Sequence, residues 1–260
     1  MSTGQYWETV GERSNGSHRQ TLWRVHSDAV NGAWLARRLS GASIERLLKT
    51  DLFDEARAAG LYPLLVARAR TVVGIDLATS TVRAACARYS RLPGVGADVR
   101  ALPFTSGAFD AVVSNSTLDH FGRVGDIATA LEELHRVLRP GGQLLLTLDN
   151  SANPAVALRN ALPFRPLNAL GIVPCRVGVT CGPRRLQRAV QDAGFEVLEV
   201  DAILHCPRML AVAAAALLDR FGSSRAQQRY LRGLMPFEQL AGWPTRFLTG
   251  YFTAIAARKR

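Results

Sequence analysis

Between Thr71 and Asn150, short apolar runs alternate with segments whose apolar residues recur every three or four positions, the pattern of strands interleaved with helices. Thr71–Asp76, Val95–Asp98, Phe109–Asn115 and Gly142–Leu148 read as strands, and Leu47–Phe53 as an earlier first strand. Helices are predicted over Glu55–Arg70, with Leu61, Leu64, Leu65 and Ala69 on one side, and over Ala78–Arg91. A third spans Ile127–Leu138, where Ile127, Leu131, Leu134 and Leu138 follow at helical spacing. Arg139-Pro140-Gly141-Gly142 stops that helix and turns the chain into the next strand. Strands alternating with helices predict an α/β fold with a mainly parallel sheet covered on both faces.

After Asn150 the pattern loosens, because Pro154, Pro163, Pro166 and Pro174 interrupt any long helix. Arg184–Ala193 and Gly194–Val200 restore a helix and then a strand, and the last strand is placed at Phe247–Ala257. Between those two strands, Met209–Leu231 reads as inserted helices that shape a pocket or a subunit surface. At the other end, residues 1–45 hold Tyr6, Trp7, Trp23, Arg24, His26, Asp28 and Trp34, a group of aromatic and polar residues outside the sheet. Such an arm reads as a helical lid over a ligand or as an amphipathic helix packed on the domain. The expected organisation is an arm over 1–45 and one domain over 46–260, with helical insertions at about 151–182 and 205–245.

Composition narrows the function classes. The formal charge of +11 could steer anionic partners, but only Lys49 and Lys259 are lysines and the arginines are scattered, which points to a solvated basic surface instead of a nucleic-acid stripe. Cys86, Cys175, Cys181 and Cys206 lack C-x-x-C spacing and no histidines lie at a metal-binding interval, so neither a metal site nor a disulfide framework is indicated. Met1–Val10 is polar and Met209–Leu218 is about half the roughly 20 residues of a spanning helix. A cytoplasmic protein is expected, with contact to a membrane surface or to a second copy still open.

Two carboxylates carry candidate chemistry. Asp76, at the end of a strand, can accept hydrogen bonds from a ribose diol, and Asp98, one strand later, can receive an adenine amino group while the Val99 backbone meets a ring nitrogen. Either acid could equally cap the helix that follows it. The order of Gly74-Ile75-Asp76, Asp98 with Leu102-Pro103-Phe104, Phe109-Asp110-Ala111-Val112-Val113-Ser114 and Leu134-His135-Arg136-Val137-Leu138-Arg139-Pro140-Gly141-Gly142 resembles the successive motifs of class I S-adenosylmethionine-dependent methyltransferases. The resemblance covers about residues 46–150 and, more loosely, the two C-terminal strands. It implies a Rossmann-like three-layer sandwich with a seven-stranded sheet in the order 3-2-1-4-5-7-6, the last strand antiparallel. It also implies S-adenosylmethionine as cofactor and methyl transfer to O, N or C of a small or medium-sized metabolite, with an apolar acceptor among the candidates.

On that resemblance the cofactor set is Lys49, Thr50, Asp51, Asp54, Gly60, Asp76, Leu77, Asp98, Val99 and Ser114. Asp51 or Asp54 would take the cofactor's ammonium, Lys49 or a backbone N–H its carboxylate, and Ser114 its methionine part through backbone. Family members run their first strand into a glycine-rich turn, whereas Lys49 to Gly60 here contains a single glycine. His120, beside Asp119, is placed as a general base for an acceptor that must lose a proton, or as a residue packed against the next helix. A nicotinamide-dependent short-chain dehydrogenase would need Tyr-x-x-x-Lys, which is absent. A silent or non-methylating binding protein of the same fold is the alternative reading.

Overall fold

The computed structural model describes residues 3–14, 21–39, 43–164, 168 and 177–260; Pro166, Pro174 and Cys175 lie outside them. Two arm helices, α1 (Thr3–Ser14) and α2 (Thr21–Arg38), precede strand β1 (Ile44–Lys49). The chain continues through α3 (Phe53–Arg57), α4 (Tyr62–Val66), β2 (Ala69–Asp76), α5 (Thr79–Arg88), β3 (Gly94–Gly96) and β4 (Phe109–Asn115). Next come α6 (Val124–Val137), β5 (Leu138–Asp149), α7 (Pro154–Ala161), α8 (Pro183–Asp192) and β6 (Phe195–Ile203). Helices α9 (Arg208–Phe221), α10 (Ser224–Leu234) and α11 (Arg246–Thr249) lead to β7 (Phe252–Lys259).

The seven strands form one sheet in the order β3-β2-β1-β4-β5-β7-β6, parallel except for β7, which runs antiparallel to both β5 and β6. Strand residues alternate between two buried layers because successive side chains point to opposite faces. Leu47, Val72, Val113, Leu145 and Ala254 join the layer that also holds Trp34 and Leu35 of α2 and Ala211 and Ala215 of α9. Leu48, Val73, Val112, Leu144 and Ile255 join Ile127, Leu131 and Leu134 of α6 and Leu186 and Val190 of α8. Both faces are therefore apolar and covered, which is why the central strands read as almost continuous hydrophobic runs.

Several boundaries differ from the sequence expectation. Strand β1 begins at Ile44, inside the stretch assigned to the arm, and ends at Lys49 instead of Phe53. The helix expected over Glu55–Arg70 is two short helices, because Gly60 adopts φ +59 and β2 already starts at Ala69. Leu138-Arg139-Pro140 pairs as the start of β5, with a register shift opposite Phe109 and Ala111, so the Pro-Gly-Gly stretch is a bulge within the strand and not a turn before it. Arg139 anchors that bulge through a 2.8 Å ion pair to Asp110. The last strand starts at Phe252, since Arg246–Thr249 closes into a helical turn.

Candidate functional site

The carboxyl ends of β1, β2, β3 and β4 open into a cavity of about 280 Å³. Each strand delivers residues to its wall: Thr50 and Asp51 after β1, Asp76 and Leu77 at the end of β2, Asp98 to Arg100 after β3, and Asn115 to Thr117 after β4. Trp7 of α1 and Trp23, Arg24 and Asp28 of α2 roof it, and Arg208 and Phe252 close the far side. A topological edge of this kind, at the carboxyl ends of parallel strands, is where open α/β sheets bind ligands.

Asp76 is held on both oxygens: Leu52 N donates to Oδ2 at 3.1 Å and Ala78 N to Oδ1 at 2.8 Å. Burial, and then the neighbouring charge of Asp51, raise its pKa to about 6. Each oxygen keeps a further lone pair for a hydroxyl in the cavity. Asp98 stands differently, because Arg100 donates to it through its backbone N at 2.9 Å, Nε at 3.0 Å and Nη2 at 2.6 Å. Burial opposes the Asp98 charge, yet these bonds outweigh it and hold the carboxyl below its ordinary pKa. With its acceptor capacity taken up by Arg100, Asp98 has little left for an adenine amino group, and Ala97, Val99 and Arg100 line the cavity beside it.

The glycine-poor loop after β1 is closed by side chains. Glu55, 0% exposed, accepts from Leu61 N at 2.9 Å and Tyr62 N at 3.2 Å, while its other oxygen pairs with Lys49 Nζ at 2.9 Å. A Cβ at Gly60 would lie 2.5 Å from the Glu55 carboxylate, so this single glycine is required by the positive φ and by that close approach. Lys49 is also bonded to Asp51. Burial works against its charge, but Asp51 and Glu55 keep the ammonium above the ordinary lysine pKa. Lys49 is thus committed behind the wall and does not reach a cofactor carboxylate; nor do Gly60 and Ser114 line the cavity. Ser114 is fully buried and its Oγ accepts from Thr50 Oγ1 at 3.0 Å.

After β4 the chain turns at Ser116, a non-glycine residue at φ +51. Backbone strain of this sort persists where surroundings over-determine it. Here Ser116 N donates to Thr147 O at 3.1 Å and its Oγ to Asp119 Oδ2 at 2.7 Å. The turn sets His120 on the cavity wall, with Nε2 3.8 Å from buried Asp119 Oδ1 and the imidazole edge-on to Trp7 at 4.6 Å. Deeper, Asp149 pairs with Arg159 at 2.6 Å; burial, and then Asp119, push its pKa up.

Glu8 fastens α1 of the arm to the domain. The N-cap position of α5, Ala78, has no capping side chain, and Glu8 of α1 substitutes, accepting from Thr79 N at 2.8 Å and Ser80 N at 3.0 Å. Gly11 allows the approach, since a Cβ there would sit 2.6 Å from Ser80 Oγ. On α2, Arg24 pairs with Asp54, which therefore lines the cavity as a neutralised partner. Asp28 is raised to a pKa of about 6, first by burial and then by Glu55. Because its folded-state pKa lies above the unfolded value, ionising Asp28 subtracts stability as pH rises through that interval. Asp28→Asn is expected to stabilise the ligand-free protein by on the order of 1–2 kcal/mol near pH 8 and to change little near pH 4, measured by urea unfolding.

Of the residues expected from sequence, the cavity brings together Thr50, Asp51, Asp54, Asp76, Leu77, Asp98, Val99 and His120. The nucleoside and amino-acid ends of S-adenosylmethionine fit this donor set: Asp76 offers acceptors for a diol and Asp51, whose Oδ1 accepts from Phe53 N at 2.8 Å, an anion for an ammonium. Asn115, Ser116, Thr117, Arg100, Arg208 and Phe252 were not singled out. The first three follow Ser114 directly, and the polar run at a strand end was their signal. Arg208 and Phe252 come from distant segments and carry no local signal.

A family description, "Methyltransferase domain", matches residues 56–146. A demethylmenaquinone methyltransferase of Thermus thermophilus is 37% identical over 197 residues, 68% of this chain and 87% of its own length. A probable S-adenosylmethionine-dependent methyltransferase of Mycolicibacterium smegmatis is 30% identical over 75% of this chain and 68% of its own. The chain spans 56% of an uncharacterised transposon protein of Streptomyces fradiae, at 31% identity. Among solved structures, a geranyl diphosphate methyltransferase with geranyl diphosphate and sinefungin shares the fold, with a TM-score of 0.57 at 16% identity over 88% of this chain and 77% of its own.

Proposed function

Since this chain belongs to the class I S-adenosylmethionine-dependent methyltransferases, we propose that it methylates an O, N or C atom of a small or medium-sized metabolite. When bound, the cofactor supplies an electrophilic methyl on a sulfonium. The protein's part is to hold the reactants in line and exclude water, and orientation of this kind can supply about 7–11 kcal/mol. Asp76 would hold the ribose hydroxyls and Asp51 the ammonium, while Asn115 and Ser116 flank the position between them and His120. Trp7 and Trp23 also line the cavity, where their rings would help to exclude water.

The observation that carries the reading is His120 on the same wall as the carboxylates of β1 and β2, backed by buried Asp119. The imidazole takes the proton of an acceptor hydroxyl or amine, and the Asp119 charge stabilises the resulting imidazolium. His120→Ala is expected to lower turnover about hundredfold with little change in cofactor affinity; normal turnover would reduce the residue to packing against Trp7. The broader reading is tested by calorimetric titration with S-adenosylhomocysteine, followed by a screen of metabolite extracts for label from methyl-labelled cofactor. Folded protein that binds no S-adenosylhomocysteine would sink it. A small-molecule acceptor is supported by the cavity, and by the likeness to a geranyl diphosphate methyltransferase.

A further inference from the structure

Three arginines line the cavity, and two are neutralised in place: Arg24 by Asp54, and Arg100 by Asp98 at 2.6 Å and Asp126 at 3.0 Å. The third, Arg208, makes no ion pair and donates no hydrogen bond among the described residues. The buried acid Asp149 is within electrostatic reach but is bonded by Arg159 at 2.6 Å. What holds Arg208 is aromatic: the guanidinium lies 4.2 Å from the centre of the Tyr251 ring, 5.6 Å from Trp23 and 6.0 Å from Phe252. Stacking on ring faces fixes the plane of a guanidinium while its N–H edge stays available, and that edge matches two oxygens of a carboxylate or phosphate.

Position decides which ligand brings the anion. Arg208 packs on Phe252, the first residue of β7, whereas Asp76 ends β2, and the sheet order β2-β1-β4-β5-β7 separates these strands by four spacings. At about 4.8 Å per spacing this is roughly 19 Å. The guanidinium is therefore seated on aromatic residues at the β7 side of the cavity, away from the nucleoside end at β2. Resting on the methyl-transfer reading, we infer that Arg208 anchors a carboxylate or phosphate group of the methyl acceptor, with Trp23 and Phe252 flanking its apolar body. The anchored oxyanion is a handle and is not the atom methylated.

The test uses two near-isosteric probes, 4-hydroxyphenylacetate and the uncharged 4-hydroxyphenylacetamide, titrated calorimetrically into the whole chain with and without saturating S-adenosylhomocysteine. The expected result is a preference of about tenfold or more for the carboxylate, lost in Arg208→Gln and partly kept in Arg208→Lys, with unchanged affinity for S-adenosylhomocysteine in both variants. Equal affinity for the two probes, or no binding of the carboxylate, overturns the inference. A loss of S-adenosylhomocysteine affinity in Arg208→Gln also overturns it, by assigning the guanidinium to the cofactor's own carboxylate. Wild-type protein that binds the carboxylate through Arg208 but no S-adenosylhomocysteine would keep the anion site and remove the methyl-transfer reading, so the two fail separately.

Discussion

Asp76→Ala is expected to weaken S-adenosylhomocysteine binding by at least about tenfold, because two hydrogen bonds from a ribose diol to a carboxylate contribute roughly 1.5–3 kcal/mol each. The geometry gives this carboxylate two tasks. It ties the loop after β1 to the start of α5 through Leu52 N and Ala78 N, and it presents its remaining lone pairs to the cavity. Its pKa of about 6, raised by burial and by Asp51, adds a pH signature. The anion is the form that accepts two hydroxyls, so wild-type affinity falls as pH drops below about 6, and the alanine variant loses that dependence. Calorimetry near pH 7.5 and pH 5.5 reads both effects. Unchanged affinity in Asp76→Ala would leave the residue only its structural task.

Lys49→Met is expected to cost about 3–5 kcal/mol of folding stability, the penalty for removing one partner of a buried ion pair and stranding the other. Glu55 is fully buried, and the ammonium of Lys49 is the cation 2.9 Å from its carboxylate. The same carboxylate caps Leu61 N and Tyr62 N, so the stranded charge sits in the turn between α3 and α4. Adding Glu55→Gln should recover part of the loss, since an amide keeps an acceptor for those N–H groups without the charge. Urea unfolding of the single and double variants measures the coupling. A loss below about 1 kcal/mol in Lys49→Met would show that water replaces the ammonium.

Strand β4 could be read from end to end because both of its faces are buried and Phe109 to Asn115 has no residue that breaks the run. The acids at the ends of β2 and β3 were legible for a related reason: a carboxylate directly after an apolar run must leave the core, and the strand end is where it can. What Asp98 does there was not legible, since its partner Arg100 is also a loop residue with no periodicity to place it. The loop after β1 misled in an instructive way. Its shortage of glycines reads as a missing backbone cradle, yet a side-chain carboxylate, Glu55, collects the N–H groups that such a cradle would expose. Short helices such as Arg246–Thr249 complete only one turn, too little for a 3.6-residue period to register. The cluster of Trp23, Arg208, Tyr251 and Phe252 is tertiary, assembled from three segments that no local pattern joins.

Glu8 couples the arm to the site through a helix cap. The helix it caps, α5, begins three residues after Asp76, so the fastening of α1 and the carboxylate proposed to hold the ribose share one stretch of backbone. Lifting α1 away uncovers the cavity beside Trp7 and strips α5 of its N-terminal cap in the same event. Any opening of the arm at α1 would therefore cost α5 two capped N–H groups, which then turn to water.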